Sequence, residues 1–386
     1  MNQRFLPIAA SVLIATAVII GCVDAQNQPV TPPTEQPAPS GWRVETLKTG
    51  LERPWSINFA PDGRLLMTTR NTGEVQALNL GTNAVQRYPV PLQNFRVEGE
   101  GGLLGMELAS DFNSSKTVYL CYSYWKDGQK VDSARRNRLS SFTVGSSGLS
   151  GEKVLLDDLL GWSNHNGCRV VRSPDNTKLF VTMGDAANYE PGPQKAQDLA
   201  SRAGKTYRIN LDGSIPTDNP FTGSAVWSLG HRNAQGLAFQ PGTGLLWSTE
   251  HGPDVKDELN VIKKGRNYGW PVSNCQGTAA ESSACSLKDY QAAVKSYDPQ
   301  ITVAMSDMAF YSGAAFPAWK GNLFFVTLKT GRLYRLEVSG ETVAKEEILI
   351  DNEYGRLRDI AVGQDGFIYL STDAGTNSSI LRVRPK

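Results

Sequence analysis

GLAFQPGTGLLWSTE, residues 236–250, is the stretch from which the fold is read. An apolar run (236–240) meets a turn of Pro241, Gly242, Thr243 and Gly244, and a β-rich run (245–249) follows. Runs this short, bounded by glycine and proline, read as strands joined by a turn rather than as helices. The unit recurs. The later runs are 65–69, 118–123, 179–183, 245–249, 323–328 and 368–372, each preceded by an apolar run at 56–60, 103–108, 168–172, 236–240, 308–312 or 359–362. Several lead across a glycine-containing turn into a third run, as at 74–78, 332–338 and 379–383. No long amphipathic helix interrupts the series. Six repeats of short antiparallel strands predict an all-β, six-bladed β-propeller over residues 41–386. A β-sandwich or an eight-stranded barrel is the alternative, but a sandwich needs only about seven strands in all. The sixth repeat has no outer strand after Val383, and residues 42–47 alternate like a strand with no earlier blade to join. The expectation is a last blade closed by the N-terminal strand of the domain.

Strands alternate in direction from the channel outward. The loop entering a first strand and the loop joining second to third therefore share one face. Entering loops hold Glu100-Gly101-Gly102, Asn164-His165-Asn166-Gly167, Gly230-His231-Arg232-Asn233 and Gly355-Arg356-Leu357-Arg358. Second-to-third loops hold Gly184-Asp185, Glu250-His251-Gly252-Pro253-Asp254 and Lys329-Thr330-Gly331. All three histidines fall in this set. The topology predicts that they converge on one mouth of the channel, where a ligand site is expected.

Arg356 and Arg358, two apart, point the same way in extended backbone. With Lys329 and Arg232 they form a cationic patch suited to a ligand with several carboxylates or phosphates. The other reading pairs each with an internal acid such as Asp359 or Asp307. His165 is either structural or a general base, since an ordinary imidazole titrates near ~6.5. Gly252-Pro253 is either a simple turn or a pair of carbonyl donors to a hard cation. Asp257, Glu258 and Tyr268 form either a second oxygen-rich site or a solvated acidic pair beside a tyrosine.

Taken together and in order, GHRNAQG (230–236), EHGP (250–253), DELN (257–260), NYGWP (267–271), His165-Asn166-Gly167, LKTG (328–331) and RLRD (356–359) resemble the glucose/sorbosone dehydrogenase family over nearly all of residues 43–385. That family includes soluble aldose dehydrogenases that use pyrroloquinoline quinone. The resemblance implies His165 as catalytic base. It implies Arg232, Asn233, Lys329, Arg356 and Arg358 as holders of the quinone's carboxylates and carbonyls. Gly252 and Pro253 match the donors to the calcium that polarises the quinone, and Asp257, Glu258 and Tyr268 match a second calcium site. The implied reaction oxidises an aldose to a lactone and passes electrons to an external acceptor. Two positions depart from the pattern: Glu100 stands near the quinone where the soluble glucose dehydrogenases have Gln, and Asn164 replaces an Asp beside the histidine. Two rivals make different demands. A non-catalytic binding propeller predicts gaps in the cationic set, and a calcium-dependent lactonase wants an inward carboxylate cage around one metal.

Lys plus Arg (39) nearly equals Asp plus Glu (38), so bulk charge points to neither nucleic acid nor an anionic membrane as partner. Residues 1–21 read as a lipoprotein signal peptide, with an apolar stretch (6–20) shorter than the ~20 residues of a bilayer span. It ends Ile19-Ile20-Gly21-Cys22, which predicts lipidation at Cys22 and a periplasmic protein held to a membrane only by that lipid. An ordinary signal peptide with an incidental cysteine is the alternative. Residues 22–40, rich in Pro and Gln, form a tether. Of the other cysteines, Cys275 and Cys285 flank a polar loop and are expected to be bridged. Cys121 and Cys168 lie on or beside strands of neighbouring blades, paired or simply buried.

Overall fold

The computed structural model describes residues 41–386 apart from 188, 190, 298 and 299. The expected signal peptide, tether and Cys22 therefore lie outside the described residues. Six four-stranded antiparallel sheets follow one another. Blade 1 is Pro54–Phe59, Leu65–Thr69, Glu74–Leu78 and Val85–Pro89. Blade 2 is Leu103–Leu108, Thr117–Trp125, Arg135–Val144 and Leu149–Leu160. Blade 3 is Val170–Arg172, Lys178–Met183, Lys205–Asn210 and Val226–Leu229. Blade 4 is Ala234–Phe239, Leu246–Glu250, Asp257–Ile262 and Lys295–Tyr297. Blade 5 is Met305–Phe310, Leu323–Thr327, Arg332–Ser339 and Thr342–Asp351. Blade 6 is Leu357–Val362, Ile368–Thr372 and Ser378–Pro385, completed by Trp42–Leu51. First strands touch their neighbours around the whole ring, blade 6 meeting blade 1. The chain is thus a six-bladed β-propeller, with Trp42 paired to Pro385 and Val44 to Val383 as the clasp.

Burial grades outward. The second strands of blades 1, 5 and 6 are buried at every residue, whereas the outer strand of blade 5 is mostly exposed or half-buried. A strand covered on both faces reads as a continuous apolar run, so the second strands stand out most clearly in the sequence. Buried clusters fill the seams between blades. One joins blades 2 and 3 through Leu139, Leu159, Val170 and Val181, and another joins blades 6 and 1 through Tyr369, Ile380, Ile57 and Met67. Emptying such a site by Leu→Ala costs about 2–5 kcal/mol. Cys121–Cys168 staples blade 2 to the start of blade 3, and Cys275–Cys285 closes the loop after the third strand of blade 4. Among the described residues no helix is long and apolar enough to cross a membrane.

The first strands share one irregularity. In blades 1, 2, 4, 5 and 6 the pairing slips near the strand's start. A bulge re-aims a side chain. Here it turns Trp55, Leu104, Gln235 and Arg358 into a cavity at the end of the channel where the strands begin.

Candidate active site

That cavity is the predicted mouth, with a volume of about 750 Å³. Lys329, Arg356, Arg358 and Glu100 line it, as do His251 and the Asn166-Gly167 backbone beside His165. Arg356 and Arg358 face it together, but the bulge at Arg358, not a regular two-residue alternation, turns Arg358 inward.

The cations are not simply unpaired, and their partner is neither Asp359 nor Asp307. Those two acids lie 3.1 Å from Arg169. Asp373 serves instead: Arg358 Nη2 donates to it at 3.0 Å, and Arg356 and Arg53 lie 3.6 and 3.7 Å away. Burial works to raise the Asp373 carboxyl, but Arg358, with Arg356 and Arg70, outweighs it and holds it at about 2. The neutralisation is partial. Lys329 is exposed and makes no ion pair among the described residues. Arg358 Nη1 donates to Gln235 at 3.1 Å, yet its Nε is buried without an acceptor, and burial pushes this guanidinium's pKa down.

Arg232 is turned aside. It donates to the carbonyls of His251 (3.3 Å) and Pro253 (3.1 Å), lies over the Trp270 ring and leaves its own buried Nε unpartnered. Asn233 Oδ1 accepts from Gly167 N–H (3.2 Å) and Gln235 (3.1 Å), while its Nδ2 is buried without a partner. His251 donates from Nε2 to Met305 O, and burial lowers its pKa, favouring the neutral ring.

His165 is held from two sides. Its Nδ1 lies 2.8 Å from Asp185 Oδ1, and its backbone N–H donates to Glu100 at 2.9 Å. The residue has φ 55°, a strained conformation for a non-glycine residue, and its side chain is 13% exposed. Gly167 permits the turn: a Cβ there would lie 2.7 Å from Gly184 N. Asp185, 1% exposed, also accepts from the Trp270 indole N–H (2.8 Å) and Ala187 N–H (2.7 Å). Because a carboxylate accepts, the hydrogen of this bond sits on Nδ1, and Nε2 is the ring nitrogen left for other partners. The carboxylate at the His165 ring is thus that of Asp185, from the neighbouring loop, and not one at position 164.

The two metal sets differ. The Gly252-Pro253 turn is present, with Gly252 N–H capped by Asp257 Oδ1 at 2.8 Å. The side chains of the second set are engaged in hydrogen bonds within the protein. Asp257 and Glu258 are adjacent in one strand and face opposite sides of it. Asp257 Oδ2 accepts from Ala304 N–H, Glu258 accepts from Gly277 N–H and Asn260, and the Tyr268 hydroxyl is used by Val261 O and Lys263 N–H. Burial, with Glu250 nearby, pushes Glu258 up to about 8. Among the described residues no group of three or more His, Cys, Asp or Glu is placed for a metal.

The glucose/sorbosone dehydrogenase family profile matches residues 51–382. The chain belongs to this family. It is 32% identical to the aldose sugar dehydrogenase YliI of Escherichia coli K12, over 90% of this chain and 94% of that one. It is 28% identical to quinoprotein glucose dehydrogenase B of Acinetobacter calcoaceticus, over 98% and 95%. The PQQ-bound aldose sugar dehydrogenase of Streptomyces coelicolor superposes with a TM-score of 0.74 at 28% identity, covering 90% of this chain and all of that one.

Proposed function

We propose that this protein is a pyrroloquinoline quinone-dependent aldose dehydrogenase that removes hydrogen from the anomeric C–OH of a sugar and releases the lactone. The carrying observation is the His165–Asp185 pair set beside a cavity whose Arg358 has a buried N–H without an acceptor. Unused donors on Arg358, Arg232 and Asn233 fit a ligand rich in carboxylates and carbonyls. Arg356, Arg358 and Lys329 would hold the carboxylates, with Arg232 and Asn233 toward the carbonyls. The quinone, when bound, supplies the two-electron acceptor.

The protein's own part is positional and acid–base. His165 Nε2 takes the proton of the anomeric hydroxyl, and the imidazolium so formed is stabilised by Asp185. Trp270 fixes the other oxygen of Asp185, and Glu100 fixes the His165 backbone. Gly252 and Pro253 would give carbonyls to a calcium ion, for which Arg232 must release Pro253 O. Asp257, Glu258 and Tyr268 are assigned no step.

Adding quinone and calcium to apo-protein should change its absorbance and start dye-coupled oxidation of aldoses. Neither change occurring would leave a non-catalytic propeller. Lipid anchoring through Cys22 belongs to the same proposal, and Cys22→Ser should move the exported protein from the membrane to the soluble fraction.

A further inference from the structure

The channel has a second end. First strands run from the mouth to the opposite face, and their later residues line another cavity of about 380 Å³. Every blade contributes: Asn58, Met106, Arg172, Leu237, Asp307 and Ile360. Three buried polar atoms on lining residues have no hydrogen-bond partner: Arg169 Nη2, Arg172 Nε and Asp307 Oδ1. Buried groups left without a partner are costly, so a concentration of them needs an explanation.

The rest of Arg169 is committed. Its Nη1 donates to Asp359 (3.1 Å) and Ser56 (3.3 Å), its Nε to Gln235 O (2.8 Å), and its guanidinium lies 4.4 Å from the Trp55 ring centroid. Both oxygens of Asp359 are taken, by Ile57 N–H and Arg169 on one side and Ile360 N–H on the other. Arg172 Nη1 is hydrogen-bonded to Asn176, and its Nε lies 3.4 Å from Glu107 without a hydrogen bond. The two acids facing the cavity are weakened as anions: burial raises Glu107 to about 7 and Asp307 well above the carboxylate range. What the cavity offers is two guanidinium N–H groups without a hydrogen-bond acceptor, Arg169 Nη2 and Arg172 Nε, while Asp307 Oδ1 is held in an ion pair by Arg169 Nε at 3.1 Å.

We propose that this far vestibule binds a small oxyanion, a carboxylate or a phosphate, held between Arg169 Nη2 and Arg172 Nε with Asp307 beside it. The site is separate from the mouth, since no residue lines both cavities. The anion reaches it from the opposite face of the ring.

The test is titration of the full exported protein with sodium acetate and, separately, sodium phosphate, combined with crystals soaked in each. Density bridging Arg169 and Arg172 is expected, together with binding weakened about tenfold or more in Arg172→Gln. Arg172→Lys keeps the charge without the Nε donor and should lose part of the affinity. Binding of acetate alone identifies a carboxylate site, and binding of phosphate alone a phosphate site. Water alone between the two arginines, or equal affinity in Arg172→Gln, would overturn the proposal. So would affinity lost in Arg356→Gln but kept in Arg172→Gln, because the anion would then sit at the mouth.

Discussion

Two sides of the mouth have been left in different states. Around His165, the imidazole meets Asp185, Asp185 meets Trp270 and Ala187, and Glu100 takes the His165 N–H. The Cys121–Cys168 staple ends three residues from that histidine. Across the cavity, Lys329 makes no ion pair among the described residues, Arg356 is half-exposed at 3.6 Å from its acid, and Arg358 buries an N–H without an acceptor. In the proposed function the His165 side handles the proton, and its hydrogen bonds are all made within the protein. The cationic side keeps donors without acceptors, which the proposed polyanionic ligand would use. Preorganised groups cost no rearrangement at the moment of reaction, and incomplete ones convert ligand binding into stability.

The largest effect should come from the finished side. His165→Ala should cut turnover by about 100-fold or more while quinone affinity stays nearly constant. Asp185→Asn should follow it by a smaller factor, because an amide does not hold the imidazole tautomer or stabilise its charge. Quinone titration beside dye-coupled rates separates the two quantities. Near-normal turnover in His165→Ala would remove the contrast altogether.

On the incomplete side the effect should appear in binding. Arg358→Ala should weaken the quinone by roughly 1.5–3 kcal/mol. It should also shrink the rise in melting temperature that quinone and calcium produce. Arg356→Ala should do the same to a smaller degree, since that side chain is half-exposed. An undiminished rise in both variants would mean that these residues serve only Asp373.

The effect confined to acid pH concerns that acid. Asp373 is held at about 2 in the folded protein, against ~3.9 for an unfolded aspartate. The folded state binds this proton more weakly, so the stabilisation is fully present above about pH 4 and is lost as pH falls toward 2. At about 1.4 kcal/mol per unit it is worth about 2.5 kcal/mol. Urea midpoints at about pH 5 and about pH 2.5 should converge between wild type and Asp373→Asn. A constant gap would detach Asp373 from the cations.

The blades were legible because second strands are buried on both faces and turns carry Gly, Pro, Asn or Asp. The clasp was legible because residues 42–47 had no earlier partner. In blades 1, 4, 5 and 6 the first-strand start was read two or three residues late, as at Met305–Phe310 against the expected 308, because the bulged beginning breaks the apolar alternation; in blade 2 it was read correctly and in blade 3 two residues early. Asp373, Arg70 and Arg53 were available to the same topological rule, since they lie in second-to-third loops or enter a first strand, but no motif marked them. Trp270 was not available. It follows a third strand, which places it by rule on the far face. The chain climbs back, with Asn267 bridging Leu229 and Trp270 N–H reaching Gly230 O. Asp185 sat in a flagged loop, yet only folded geometry shows which residue it orients.

The clasp also sets an order of events. Trp42 waits for Pro385, a partner more than three hundred residues away, so no amount of early blade formation can shut the ring. Until the last strand has been made, the molecule is an open chain of unfinished blades. A polypeptide that postpones its own closure in this way remains a row of blades with two free ends until its last strand becomes the hasp that makes it a wheel.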